Sequence, residues 1–281
     1  MNYLSEARIL ELEEIARQIR VESIRMIYRR GSGHPGGALS AAEIIAVLFF
    51  DKMRHNPANP LWEDRDRFFL SKGHASAALY VALAKTGYFP AEDLWNWGEL
   101  NCHLQGHPDR VKTPGVEMSA GPLGHGLAVG AGVAMAARLN KKRCRTYVLL
   151  GDGEMQAGII WEAANVASKY HLSNLTAILD YNDVQLDGSV HDIMPLEPLA
   201  DKWRAFNWNV IEINGHKIRQ VRDALDLAEE VHSLPTIIIA HTTKGKGVSY
   251  MENSSKWHGA VPTAEQLEIA MRELNEAGGG I

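Results

Sequence analysis

Twelve histidines are spread along this 281-residue chain, and five of them directly follow a glycine: His34, His74, His107, His125 and His216. With 25 glycines in the chain, chance would give about one such pair. A sixth, His258, precedes Gly259. An imidazole between small loop residues is free to meet a ligand, and it titrates close to neutral pH, which suits proton transfer. Any one of these reads equally well as a surface-loop histidine; the group does not. His55, His171 and His232 have no such context and read as ordinary structural histidines.

Acidic and amide groups complete the picture further on. Gly151-Asp152-Gly153-Glu154 ends the apolar run Thr146–Leu150, and Tyr181-Asn182-Asp183 ends the run Leu175–Asp180. The 30 residues from Asp152 to Asn182 leave room for a right-handed crossover helix, which makes the two strands parallel and sends both residues from one sheet edge. A carboxylate, an amide oxygen and a loop carbonyl form a hard oxygen set with open positions, suited to Mg²⁺ or Ca²⁺ carrying phosphate oxygens. Gly151 and Gly153 let backbone amides approach those oxygens closely. Alone, a Gly-Asp-Gly turn reads equally as a strand end with no ligand.

No Gly-x-Ser-x-Gly elbow, His-Glu-x-x-His pair or Gly-x-x-x-x-Gly-Lys-[Ser/Thr] loop competes with this reading. Lys244-Gly245-Lys246-Gly247 matches the last in composition only. Gly124-His125-Gly126 through Gly130 has one residue too many for a dinucleotide fingerprint, and Asn140-Lys141-Lys142 stands where its acidic residue belongs. Gly130 and Gly132 read instead as close helix packing, within the chain or across an interface.

The elements that must position these groups fall into two halves. Glu6–Arg30 carries Ile9, Leu12, Ile15, Ile19, Ile24 and Ile27 near a 3.6-residue period and is expected to be helical. Gly31 to Gly37 breaks that helix, and Ser40 with Glu43 reads as a capping box for a buried helix through Phe50. Ser71-Lys72-Gly73-His74 opens a helix from Ala75 to Lys85. In the second half, strands at Thr146–Leu150, Leu175–Asp180, Val210–Ile213 and Thr236–Ala240 alternate with helices at Ile159–Tyr170 and Val221–Val231. That rhythm predicts an α/β fold: one domain over residues 1–281, a mostly parallel sheet with helices on both faces. The tail from Gly278 to Ile281 is expected to fray.

Composition excludes several classes. With 46% hydrophobic and 22% charged residues, the chain is neither disordered nor fibrous. A net charge of −5 leaves no bulk attraction for nucleic acid. Cys102 and Cys144 are far apart, so neither a disulfide scaffold nor a thiolate cluster is expected. The longest apolar stretch, Leu127–Ala137, has 11 residues against the roughly 20 that span a bilayer, and no signal segment opens the chain. The sequence-based expectation is a soluble, cytoplasmic protein without membrane partners.

Gly151-Asp152-Gly153, 28 positions, then Asn182 resembles the thiamine-diphosphate-binding motif. The upstream loops Ser32-Gly33-His34-Pro35-Gly36-Gly37, Ser71-Lys72-Gly73-His74, Gly106-His107-Pro108-Asp109 and Gly121-Pro122-Leu123-Gly124-His125-Gly126, with Lys244 through Gly259, narrow the resemblance to the amino-terminal, diphosphate-binding half of transketolases. The resemblance implies a metal held by Asp152, Asn182 and the Val184 carbonyl. It implies cofactor contacts from His74, Gly121, Leu123, Gly153, Glu154, Asn182 and His258, and sugar-facing catalytic roles for His34, His107 and His258. The implied activity is transfer of a two-carbon ketol unit from a ketose (phosphate) to an aldose, with thiamine diphosphate and Mg²⁺ (or Ca²⁺).

The same resemblance implies a partner. In this family the glutamate that protonates the aminopyrimidine lies in a second domain, so a carboxy-terminal subunit carrying the pyrimidine-binding domain is expected, in an α2β2 assembly. Ala157 stands where transketolases usually carry a glutamate linking two active sites, and His125 where many carry Gln. The alternatives are the α-subunit of a 2-oxoacid dehydrogenase, an enzyme like deoxyxylulose-phosphate synthase, a non-catalytic subunit retaining the fold, and a nicotinamide dehydrogenase.

Overall fold

Alternate residues of the central strands feed two separate cores. The computed structural model describes residues 4–276, so the expected fraying of 278–281 lies outside the described residues. Five parallel strands, β1 (Arg67–Leu70), β2 (Thr146–Gly151), β3 (Leu175–Tyr181), β4 (Asn209–Asn214) and β5 (Thr236–His241), form one sheet in the order β1-β2-β3-β5-β4. Tyr147, Leu149, Ile178 and Ile238 point into one core, and Val148, Leu150, Ala177, Leu179, Ile237 and Ile239 into the other. Burial on both faces explains why these strands read as continuous apolar runs.

The first core is covered by α1 (Glu6–Arg30), α2 (Pro35–Ser40), α3 (Ala42–Val47), α4 (Ser76–Thr86), and later by α9 (Ile218–Glu230) and α10 (Ala264–Glu276). The second is covered by α5 (His125–Leu139), α6 (Gly158–Lys169) and α8 (Leu199–Ala205), with the single turn α7 (Val190–Ile193) nearby. Ser5 caps α1 by accepting from Arg8 N, and Gly31, at φ 68°, ends it in the left-handed conformation that glycine adopts without strain. The α/β expectation with helices on both faces stands, and each expected strand lies within one residue of its place.

Three details differ. β1 gives no sequence signal because it has only four residues and follows the polar run Glu63–Asp66, so no apolar stretch announces it. Ser40 does not open a helix to Phe50: it is the last residue of α2, and a fresh helix begins at Ala42 and runs into a wider turn at Leu48–Lys52. Its hydroxyl donates to buried Asp180 Oδ2 at 2.6 Å, and Glu43 pairs with Arg20 and His216. Charged partners brought in by the tertiary fold thus outcompete a capping box for these side chains. Finally, Gly130 does pack closely, since a Cβ there would lie 2.6 Å from Val148 Cγ2, while Gly132 meets nothing within 4 Å.

Candidate active site

In parallel sheets the loops beyond the carboxyl ends of the strands are where ligands bind, and β2, β3 and β5 end here side by side. Gly151 pairs with Asp180, and Tyr181 with His241. The Asp152 carboxylate is 3% exposed; Oδ1 accepts from Gly153 N at 2.8 Å, and Oδ2 accepts from the backbone N of Asn182 at 2.9 Å. The two expected strand ends are therefore joined directly. Asn182 Oδ1 accepts from Val184 N at 3.3 Å, and its amide nitrogen donates to Asp180 Oδ2 at 3.2 Å. The amide is thereby oriented with its oxygen on the Val184 side.

These groups line one cavity of about 160 Å³ with His74, Leu123, Gly153, Glu154 and His258. Gly121 is exposed outside it. Glu154 has little capacity left for a ligand: Ser71 Oγ at 2.5 Å and Gly124 N at 2.7 Å donate to Oε1, and Gly151 N at 2.8 Å donates to Oε2. It ties three loops together at the cavity wall.

Four of the expected histidines converge. Ring centroids of His34 lie 5.4 Å from His74, 6.0 Å from His107 and 5.4 Å from His258, and His74 lies 4.9 Å from His258. Glycines make the crowding possible: a Cβ on Gly37 would lie 3.3 Å from His74 Nε2, and one on Gly73 would lie 3.2 Å from His107 Cδ2. Burial lowers the pKa of each ring, helped by His107, Lys244 and Arg30 at His34, by Lys72 and other neighbours at His74, and by Arg30 at His107. At His258, burial followed by Lys244 takes it down to about 3. The rings are consequently neutral near pH 7, each with one nitrogen able to accept a proton or hydrogen bond. His125 is exposed beside the Leu123 carbonyl, and His216 stands apart, against Glu43.

Two lysines belong to the site although their loop context gives them no role. Lys72 is buried and pairs with fully buried Asp180, which also accepts from Ser40 and Thr242. Burial alone raises the Asp180 pKa, but Lys72 and the hydroxyl donors outweigh it and hold the carboxyl ionised. Lys244 Nζ donates to the Val184 carbonyl at 2.6 Å and meets His258 Nδ1 at 3.0 Å. Burial brings Lys244 down to about 8. The available signals were the acid ending the apolar run Leu175–Asp180 and lysines embedded among glycines and histidines.

The donors suit a divalent cation. Burial, then the nearby Asp180 charge, raises the Asp152 pKa to about 6, so a cation beside it would be compensated charge rather than a burden. A cationic group already sits on the Val184 carbonyl in the form of Lys244. Among the described residues no three His, Cys, Asp or Glu side chains cluster as metal ligands. A set of one carboxylate, one amide and one carbonyl needs no such cluster. No helix of the described residues is long and apolar enough to cross a membrane.

Comparison with known proteins agrees with this geometry. Residues 12–275 match the family model described as "Transketolase, thiamine diphosphate binding domain". One of the two subunits of an apulose-4-phosphate transketolase from Phocaeicola vulgatus is 44% identical, covering 96% of this chain and 95% of that protein. A 6-deoxy-6-sulfo-D-fructose transketolase subunit from Clostridium sp. is 41% identical over 98% of this chain and 100% of its own length. Among solved structures, transketolase from Campylobacter jejuni superposes with a TM-score of 0.89 at 38% identity, and that from Pichia stipitis, in complex with sedoheptulose 7-phosphate, with 0.90 at 32%. Each match covers 95% of this chain, which spans 42% and 40% of those two proteins. On fold, site and sequence together, the chain belongs to the transketolase family, as its thiamine-diphosphate-binding domain.

Proposed function

We propose that this chain is the diphosphate-binding subunit of a two-subunit transketolase, forming a single domain over residues 1–281 and acting in the cytoplasm. One observation carries the reading: Asp152, Asn182 and the Val184 carbonyl share a single cavity with His74 and His258, beside which His34 and His107 stand. The naming of both relatives as transketolase subunits supports the split arrangement.

Asp152, Asn182 and Val184 would hold Mg²⁺, or Ca²⁺ in its place, and the metal with His74, Gly153, Asn182 and His258 would hold the diphosphate of thiamine diphosphate. Leu123, on the cavity wall, and Gly121 outside it would face the cofactor rings, with Glu154 fixing the loops around them. Thiamine diphosphate, when bound, supplies the nucleophilic carbon and the electron sink needed to cleave a ketose carbon–carbon bond. His34, His107 and His258 bind sugar hydroxyls. Neutral rings suit them to take a proton from the hydroxyl whose bond breaks and return one to the acceptor in the second half-reaction. The cavity walls keep these exchanges away from bulk water.

The partner would carry the pyrimidine-binding domain, with two copies of each chain in the assembly. The test is reconstitution: with the partner, thiamine diphosphate and Mg²⁺, ketol transfer from a ketose phosphate to an aldose is expected, and the chain alone should be inactive. Turnover by the chain alone, or none by the complex with cofactor bound, overturns the reading.

A further inference from the structure

Arg30 is the last residue of α1, and it sits in a cradle that its role at a helix end does not require. Its Cζ lies 4.4 Å above the Trp97 ring. A Cβ on Gly98 would overlap the guanidinium, and one on Gly106 would come within 3.0 Å of Nη2. Trp97 is itself fixed: its Nε1 donates to the Gln105 carbonyl at 2.8 Å, and its Cη2 would lie 3.1 Å from a Cβ on Gly33. Gln105 and Gly106 lead into His107, and Gly33 precedes His34. The guanidinium is thus wedged between the two loops that present the sugar-facing imidazoles.

It has no internal use there. Arg25, earlier on the same helix, pairs with Glu22 at 3.2 Å. Arg30 has neither a carboxylate partner nor a hydrogen-bond acceptor among the described residues. Arg29 already supplies a cation to the same helix end. A planar guanidinium stacked on an indole is oriented while its N–H donors stay free, the arrangement suited to a tetrahedral oxyanion. Its positive field also reaches both rings, contributing to the lowered pKa of His34 and His107.

We infer that Arg30 is a specificity-determining residue that binds the phosphate or sulfonate group of an anionic sugar substrate at the rim shared by His34 and His107. The inference rests on the ketol-transfer reading but is separable from it.

The experiment compares Arg30→Gln with wild type in the complex reconstituted with its partner chain, using erythrose 4-phosphate against erythrose as acceptors. The preference for the phosphorylated acceptor, as a ratio of kcat/KM values, should fall about 10- to 100-fold, with the cofactor Kd unmoved. An unchanged ratio overturns the inference, whatever happens to kcat or to melting temperature. A sulfonated sugar in place of the phosphate distinguishes the two anions. Independently of turnover, inorganic phosphate titrated into the full chain should shift the ring NMR signals of His34 and His107 in wild type and leave them still in Arg30→Gln. Identical shifts, or none in either protein, count against Arg30. If the complex transfers no ketol while phosphate still binds through Arg30, the functional reading has failed and the anion site has not.

Discussion

Lys244 Nζ stands 2.6 Å from the Val184 carbonyl oxygen, the same oxygen proposed to face a divalent cation, and 3.0 Å from His258 Nδ1. A buried ammonium there has two uses. It satisfies the carbonyl before a metal arrives, and afterwards it remains beside the diphosphate as a mobile cation. Gly36 makes the approach possible, because a Cβ at that position would lie 2.9 Å from Lys244 Cγ and 2.9 Å from the Trp257 carbonyl. Lys244→Met should therefore raise the Kd for thiamine diphosphate about 10- to 100-fold at saturating Mg²⁺, read by calorimetric titration. A wild-type Kd in the variant would remove Lys244 from the binding site.

Asp152→Asn separates the metal role from the fold. One backbone N–H can still be accepted by the amide oxygen, and burial already disfavours the charge, with the carboxyl raised to about 6. The unliganded variant should melt at or slightly above the wild-type temperature. Wild type with Mg²⁺ and thiamine diphosphate at 100 times Kd gains about 2.7 kcal/mol, a rise of roughly 5 °C for a chain of this size. The variant should show none of that rise, and chelation of Mg²⁺ should erase it in wild type. A full rise in Asp152→Asn would disprove metal binding by this carboxylate.

Acid stability depends on a cluster away from the cavity. Glu43, buried against α1, pairs with Arg20 Nη2 at 2.5 Å and with His216 Nδ1 at 3.1 Å. Thr243 N donates to His216 Nε2, which leaves the ring proton on Nδ1 facing the carboxylate. Burial raises the Glu43 pKa, yet Arg20 and His216 outweigh it and hold it down to about 2. A carboxyl depressed in the folded state stabilises fully above its unfolded pKa and loses that contribution as pH falls toward the folded value. Glu43→Gln should cost about 3–5 kcal/mol at pH 7, since it strands a buried guanidinium. The gap from wild type should narrow between about pH 4.5 and pH 2. A gap constant across urea melts in that window would mean the pair is not ionised as the structure has it.

Much of this is legible from residue types alone. The strands are visible because burial on both faces forces continuous apolar runs, and the histidines because glycine neighbours are rare by chance. What escapes is set by contacts distant in sequence. Lys72 and Asp180 are 108 positions apart, and neither residue type betrays a buried ion pair when read locally. Ser40 looks like a cap because its local context favours one, but Asp180, 140 positions away, supplies a stronger acceptor. β1 is too short for any periodicity. Glu154 is expected at the cofactor and instead spends its oxygens on three loop donors, a role that only the meeting of those loops reveals.

Gly130 and Gly132 together make the sharpest test of how α5 is seated. Both lie inside the helix, where alanine in place of glycine gains about 1 kcal/mol from backbone entropy. At Gly132 nothing lies within 4 Å of an added Cβ, so Gly132→Ala should collect that gain and raise the melting temperature of the free chain by a few degrees. At Gly130 the added Cβ would lie 2.6 Å from Val148 Cγ2, and Val148 is fully buried in the middle of the sheet. Neither the strand nor the helix can retreat without opening the core beside it, so overpacking of about 1–3 kcal/mol outweighs the gain. Gly130→Ala should therefore lower the melting temperature while its neighbour raises it. Should both variants gain stability, α5 would have to sit further from β2, and the Gly124–Glu154 bond that anchors its start at the cavity wall would lose its geometric support.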